Sequence, residues 1–246
     1  MRLLSLPLLA ALTLVPASVF ADPRPPAMMD GAELRLALAK LQVVGSALYV
    51  GAHPDDENTS MLAWLSRGKL VRAAYLSMTR GDGGQNLLGT EVGEQLGVIR
   101  TQELLGARRI DGAEQFFTRA LDFGFSKGPD ETLAFWGHDP TLADVVWVIR
   151  RYQPDVIITR FPTDGSGGHG HHTASAILAE EAFTAAADST RFPEQLKWVK
   201  PWRARRLVWN AFRFGNAGRD TTPGRIAIDL GAYHPLLVRS YAEIAG

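Results

Sequence analysis

The stretch Ala47-Leu48-Tyr49-Val50-Gly51-Ala52-His53-Pro54-Asp55-Asp56-Glu57 decides how the rest of the chain is read. Its first six residues are continuously apolar, the pattern of a strand buried on both faces of a parallel sheet. His53 falls at the carboxyl end of that strand and is followed by a proline and three acids. Met61, Leu62, Trp64 and Leu65 then mark an amphipathic helix over Glu57–Arg67, stopped by Gly68, and Leu70–Ser77 reads as the next strand. Strand, helix and strand make one βαβ unit. His53 and its acids therefore sit where strand-to-helix loops gather ligands in open α/β sheets.

Downstream the alternation continues. A glycine-rich loop, Thr79–Gly89, precedes a helix over Val92–Ala107, a strand over Phe116–Leu121, a helix over Thr141–Arg151, a buried strand over Asp155–Thr159 and an alanine-rich helix over Thr173–Ala187. This order predicts an α/β fold with a mostly parallel sheet. Arg206–Phe212 and Arg225–Leu230 are expected to add strands, and Pro235–Ala245 a terminal helix. Upstream, Asp30 and Glu33 have the spacing of a capping box ahead of Leu34, Ala37, Leu38 and Leu41, which predicts a first helix.

Arg2, the apolar run Leu3–Val15 and the small residues ending at Ala21 have the three parts of a secretory signal peptide over residues 1–21. The run is shorter than the ~20 apolar residues of a membrane span and is interrupted by Pro7, which argues against a retained anchor. Residues 22–29 read as a stiff polar linker and 30–246 as one domain. The expectation is a secreted or periplasmic protein with no stable membrane span once the signal is removed. A helix-like pattern still running at Gly246 adds the expectation of a longer natural protein, and the oligomeric state stays open.

With 46% hydrophobic and 21% charged residues, the 246-residue chain supports a core and excludes disordered, collagen-like and multi-span membrane classes. Lys plus Arg and Asp plus Glu both number 26, so no global field recruits nucleic acid or an anionic membrane. Residues 191–225 carry nine basic side chains against two acids, with Trp198, Trp202 and Trp209 interleaved. This segment reads as a solvated basic face with its tryptophans packed inward; the alternative is a face for polysaccharide or anionic lipid, and export argues against nucleic acid.

Cysteine is absent, which excludes disulfides, thiolate zinc sites and Cys nucleophiles and leaves metal binding to carboxylates and six histidines. Two loops hold four of those histidines: the one carrying His53, and Gly165-Ser166-Gly167-Gly168-His169-Gly170-His171-His172. His53, Asp56 and His172 would give a divalent ion such as Zn2+ two nitrogens and one oxygen with a position left for water. The same donors also suit Fe2+. Asp55, pointing elsewhere, is then free to take a proton from the activated water. The bland alternatives are carboxylates that merely complement a helix dipole and a solvated glycine linker; the pairing of the two loops argues against both. Arg80, Asp82 and Asn86 in the glycine-rich loop are candidate substrate contacts, with a simple turn as the alternative, and the lack of a Walker pattern argues against a phosphate cradle. His138 and His234 read as surface or capping residues.

These residues resemble the PIG-L or LmbE-like de-N-acetylases. Ala52-His53-Pro54-Asp55-Asp56-Glu57 is similar to the family signature, and His169 with His172 to its later His-x-x-His motif; the resemblance spans roughly Ala47–Ala187. It implies a Rossmann-like three-layer α/β/α fold, zinc on His53, Asp56 and His172, Asp55 as general base, and His169 as the group that stabilises or protonates the tetrahedral intermediate. Arg100 and Glu103 resemble the family's Arg-x-x-Glu helix. Asp122 falls where an acid follows the next strand, and Arg100 and Asp122 are implied to hold sugar, phosphate or hydroxyl groups. The implied reaction removes the N-acetyl group from a 2-acetamido sugar, a small molecule or glycoconjugate of the N-acetylglucosamine type. The rivals are a hydrolase of another acyl amide or ester using the same centre and a non-catalytic carbohydrate-binding domain. One position departs from the family: relatives commonly carry Asp before the second metal-binding His, and here stands His171. The charge around His169 should differ accordingly, and His171 is itself an alternative ligand.

Overall fold

The computed structural model describes residues 29–211 and 224–246. The expected signal peptide, nearly all of the expected linker, Phe212, Arg213 and Arg219 lie outside the described residues. Five parallel strands form the central sheet: β1 (Ser46–Gly51), β2 (Arg72–Ser77), β3 (Glu114–Phe117), β4 (Val156–Thr159) and β5 (Arg206–Trp209), in the order β3-β2-β1-β4-β5. The three central strands are apolar between their ends because helices cover both faces. Leu48, Val50, Leu76 and Ile157 pack under α5 (His138–Tyr152) and α6 (Gly170–Ala185). Tyr49, Tyr75 and Ile158 face Met61 and Leu62 of α2 (Thr59–Ala63) and Leu104 of α3 (Glu94–Asp111). Alternate residues of one strand thus feed two separate cores. Each fully buried Leu or Ile contributes about 1.5–3 kcal/mol, so Leu48→Ala should cost about 2–5 kcal/mol.

The β1–β2 register pairs Gly51 with Ser77, and the β1–β4 register pairs Val50 with Thr159. The carboxyl ends of these strands are therefore level. Chain order reverses between β1 and β4, and at such a switch point the loops leaving the two strands part to open a crevice. The His53 loop leaves β1 and the loop carrying His169–His172 leaves β4.

Several expectations shift. The first helix, α1 (Gly31–Lys40), has the Asp30–Glu33 capping box, but none of its residues is buried. The helix expected over Glu57–Arg67 begins later, at α2, because the Asn58 side chain accepts the Met61 N–H; it ends in a π-helical turn, Trp64–Gly68. Glu57 is thereby left outside the helix. β3 ends at Phe117 rather than Leu121, since both the backbone N–H and the guanidinium of Arg119 bind the Asp144 carboxylate on α5 and draw the chain off the sheet. An additional helix, α4 (Pro129–Trp136), precedes α5. Residues 225–230 are not a strand; Ile228 and Leu230 instead pack against the core beneath α2. The expected terminal helix is reduced to α7 (Tyr241–Ala245) after a short hairpin, β6 (Tyr233–His234) and β7 (Arg239–Ser240). Of the three tryptophans, Trp202 packs inward with its Nε1–H on the Pro154 carbonyl, whereas Trp198 is 78% exposed and Trp209 half exposed. The inward packing expected for all three therefore holds for one.

Candidate metal centre

The loop after β1 is fixed by bonds to nearly every backbone group it offers. The Asp56 carboxylate turns back on its own loop and accepts the N–H groups of Ala52 and His53 through Oδ2, at 2.9 and 2.7 Å. The Tyr75 hydroxyl donates to the His53 carbonyl at 2.6 Å, and Arg100 donates to the Pro54 carbonyl. Gly51 makes this crowding feasible: a Cβ there would lie 2.7 Å from the Tyr75 hydroxyl and 3.0 Å from the Asp56 Cβ. Asp55 has φ 116°, in the region that favours glycine; holding a non-glycine residue there costs of order 1–3 kcal/mol and persists only when surrounding contacts over-determine it.

The second loop delivers its histidines from the start of α6. His169 is the N-cap, its ring Nδ1 accepting the His171 N–H at 3.0 Å. Gly170 lies so close to Ser126, Gly128 and Thr132 that any larger residue would collide, which fixes the approach of α6. His172 donates Nδ1–H to the Gly167 carbonyl at 2.9 Å, and its ring stacks on Phe161 at 3.8 Å between centroids. That donation leaves the Nε2 lone pair of His172 free.

His53, Asp56 and His172 offer ligand atoms that all lie within 4.8 Å of one another. Asp56 Oδ1, the carboxylate oxygen not engaged by backbone, is 3.4 Å from His172 Nε2, and His53 Nδ1 is 3.3 Å from Asp56 Oδ2. Two imidazole nitrogens and one carboxylate oxygen, each oriented by a second bond, fit a divalent metal ion. A second group of ligand atoms, from His53, His169 and His171, also falls within 4.8 Å. Within it, His53 Nε2 and His171 Nδ1 are already hydrogen-bonded to each other at 2.9 Å.

Charge follows geometry. Burial pulls the His53 imidazole down, but the hydrogen bond to Asp56 and the charges of Asp56, Asp122 and Asp55 outweigh it and the net direction is up. Burial pushes Asp56 up, but His53 and His172 bring it below the usual carboxylate range. Asp55 is raised by burial and by the Asp56 charge, with Arg100 opposing. His169 is lowered by burial and by its neighbours His53 and His172. Burial, then His53, His169 and His172, bring His171 down to about 3, so its ring is neutral.

The remaining expected site residues divide. Asp122 reaches the cluster, with its carboxylate 4.0 Å from His53 Nε2 and 3.8 Å from His171 Nδ1. Arg100 is engaged inside the protein by the Pro54 carbonyl, by Asp55 at 3.3 Å and by Glu103 at 3.2 Å. Arg80 lies over the Phe117 ring and, with Asp82, Val98, Thr101 and Leu121, lines a cavity of about 410 Å³ whose lining includes none of the histidines. Asn86 is consumed by its own loop, bonding Glu91 and the N–H groups of Leu88 and Gly89. His138 pairs with Asp139 and Glu181, and His234 accepts the Leu237 N–H, in keeping with surface and capping roles. Three contacts had no marker in the sequence: Tyr75 on the His53 carbonyl, Phe161 on His172, and a buried Glu57–Arg108 pair.

A parallel α/β sheet of Rossmann-like architecture with a His–Asp–His group at its switch point defines an α/β protein with a candidate divalent-metal site. The sequence model of the GlcNAc-PI de-N-acetylase (PIG-L) family matches residues 48–183, and the chain belongs to that family. A 1D-myo-inositol 2-acetamido-2-deoxy-alpha-D-glucopyranoside deacetylase of Geodermatophilus obscurus is 33% identical over 181 residues, covering 66% of this chain and 60% of the relative. A mycothiol S-conjugate amidase of Streptomyces coelicolor is 30% identical over 162 residues, covering 59% and 54%. The chain thus spans between half and two thirds of the length of these relatives. Among solved structures, an N,N'-diacetylchitobiose deacetylase of Pyrococcus horikoshii superimposes with TM-score 0.54 at 18% identity, covering 69% of this chain and 61% of that one. The 4-carboxy-2-hydroxymuconate hydratase of Pseudomonas putida does so with TM-score 0.51 at 22% identity, covering 67% and 64%. A deacetylase and a hydratase on one fold show that the architecture alone does not choose the reaction.

Proposed function

We propose that this chain is an exported zinc-dependent hydrolase that removes the N-acetyl group from a 2-acetamido sugar of the N-acetylglucosamine type. The observation that carries the reading is the convergence of His53, Asp56 and His172 beside two further groups, Asp55 and His169, suited to proton transfer and oxyanion stabilisation. The names of the sequence relatives, acetamido-sugar deacetylases and an amidase, support the substrate class. The apolar N-terminal run supports export, and no helix among the described residues is long and apolar enough to cross a membrane.

His53, Asp56 and His172 would hold a divalent ion, which when bound would supply Lewis-acid polarisation of the acyl carbonyl and lower the pKa of water toward about 7. No step changes an oxidation state, so zinc suffices, and Fe2+ is the alternative occupant. Asp55 is the acid of the loop that neither His53 nor the backbone amides occupy, and as general base it takes a proton from the attacking water. His169 accepts through Nδ1, so its neutral ring carries the proton on Nε2 and donates to the oxygen that becomes negative in the tetrahedral intermediate. The proton held by Asp55 then passes to the leaving nitrogen as the C–N bond breaks, and acetate and a free amine result.

Acetate release from N-acetylglucosamine, N,N'-diacetylchitobiose and N-acetylglucosaminyl-inositol by wild-type and Asp55→Asn protein tests this reading. Turnover by the wild type on at least one substrate, slower by about 10²–10⁴-fold in the variant, is expected. Hydrolysis of acyl esters or peptide amides alone would favour the rival hydrolase. Sugar binding without acetate release would favour the non-catalytic domain.

A further inference from the structure

Asp55 is the residue of the site with the least intrinsic reason to stay where it is. Its backbone sits at φ 116°, and its side chain is 64% exposed, held among the described residues by Arg100 at 3.3 Å. Beneath it lies a fully packed ionic cluster that the reaction outlined above does not use. Glu57 Oε2 accepts the Asp55 N–H at 3.0 Å, while Glu57 Oε1 accepts from Arg108 Nη2 at 3.1 Å. Arg108 also binds Asp111 through Nε and Nη2, the latter at 2.6 Å, and Gln115 through Nη1 at 3.0 Å. Asp111 in turn accepts the Ala113 N–H at 2.8 Å, which ties the cluster to the start of β3. The side chains of Glu57, Arg108 and Asp111 are 3%, 4% and 2% exposed.

Buried ion pairs rarely raise stability over an apolar replacement, so a buried carboxylate with both oxygens committed calls for a role beyond stability. The bond that makes this cluster unusual is the one to the Asp55 N–H. The Pro54–Asp55 peptide is held at both ends, its N–H by Glu57 and its carbonyl by Arg100, and Asp56 is held on the far side by the Ala52 and His53 N–H groups, so the φ of Asp55 between them is confined. The preceding peptide is fixed as well, with the His53 carbonyl on Tyr75.

We propose that Glu57, itself locked by Arg108 and Asp111, is a positioning residue that pins the Asp55 backbone in its left-handed-region conformation and so aims the Asp55 carboxylate into the metal centre. The proposal rests on the reading of Asp55 as general base. A misplacement of about 1 Å in a reacting group costs as much as 10²-fold in rate, and that is the scale of effect a lost clamp should produce.

The test is a double-mutant cycle on Asp55 and Glu57. Glutamine at 57 replaces one of the two carboxylate oxygens by an NH2 donor, so it turns a donor toward either the Asp55 N–H or Arg108, which now meet different oxygens. Glu57→Gln should lower kcat by roughly 10–100-fold while KM and zinc affinity, measured by chelator competition, stay within about threefold. In an Asp55→Ala background the same change should cost no further residual rate, because the group it positions is gone. An unchanged kcat in Glu57→Gln, or an equal loss with and without Asp55, would overturn the proposal. Should Glu57→Gln fail to fold, Arg108→Lys, which keeps a cation for Asp111 but cannot reach three partners, is put through the same cycle with the same criteria. Failure of the underlying reading shows separately: Asp55→Ala alone would then retain wild-type turnover.

Discussion

His171 Nδ1 lies 2.9 Å from His53 Nε2, so His171 bonds the first proposed ligand of the candidate metal centre from behind. His171 is fully buried against Phe123 and Trp136, and its Nε2 has no hydrogen-bond partner among the described residues. The close approach closes His53 Nε2 to an ion and leaves Nδ1 as the atom that would hold one. A ring that coordinates through Nδ1 carries its proton on Nε2, and His171, held neutral, accepts it. Asp122, near both rings but beyond hydrogen-bonding distance, supplies negative charge there.

The first prediction concerns that bond. Outer partners of metal-bound histidines are worth about 10–100-fold in metal affinity. His171→Leu should weaken zinc binding by about that factor, measured by competition with a chromophoric chelator, whereas His171→Asn, which retains an acceptor, should lose less. Equal affinity in wild type and His171→Leu would show that the contact does not tune the ligand.

Arg100 gives the second. The resemblance to relatives gives it a substrate-holding role, yet its partners here are Pro54, Asp55 and Glu103. Arg100→Met should lower kcat by roughly tenfold with little change in KM. A rise in KM at constant kcat would instead restore the substrate-holding role.

The third is metal removal. An ion that binds only the folded state stabilises it by about 4.1 kcal/mol at 1,000 times its Kd. Chelation should abolish acetate release and lower Tm together, and added zinc should restore both. Elemental content of anaerobically purified protein distinguishes zinc from iron.

How far the sequence disclosed these features depends on the range of the contact. The buried apolar strands β1, β2 and β4, the strand-to-helix loops and the Asp30 capping box are local patterns, and each reappears in the structure, whereas the strand expected over 225–230 does not. The His53–Asp56–His172 group was legible because both loops announce themselves by histidine and glycine at strand ends. α4 was missed although its markers are local: Pro129 at the first turn, two acids beside it and a closing Gly137. β3 was displaced because Arg119 finds Asp144, 25 residues away. The Glu57–Arg108 and His53–His171 bonds join positions 51 and 118 residues apart, and no periodicity in a chain reports such a pairing.

The fourth prediction lies away from the centre. The hydrogen bond to Asp139 raises the His138 pKa, opposed by partial burial and reinforced by Glu181. A histidine whose folded pKa is raised contributes stability that is fully present below the unfolded value, about 6.5, and lost as pH rises through the folded pKa. His138→Gln should therefore destabilise the protein at about pH 5.5 and have no effect near pH 9, within the 0.2–1 kcal/mol range of solvent-screened pairs. Denaturant midpoints at the two pH values check it; an equal loss at both would mean packing rather than charge is at work.

The most direct measurement is a zinc titration of metal-stripped wild-type, Asp56→Ala and His172→Ala proteins by calorimetry, with far-UV circular dichroism confirming that all three are folded. One tight equivalent per wild-type chain, lost or weakened by at least about 10²-fold in each variant, is the predicted result. Undiminished tight binding by folded variants, or none by the wild type, would contradict a metal centre built on His53, Asp56 and His172.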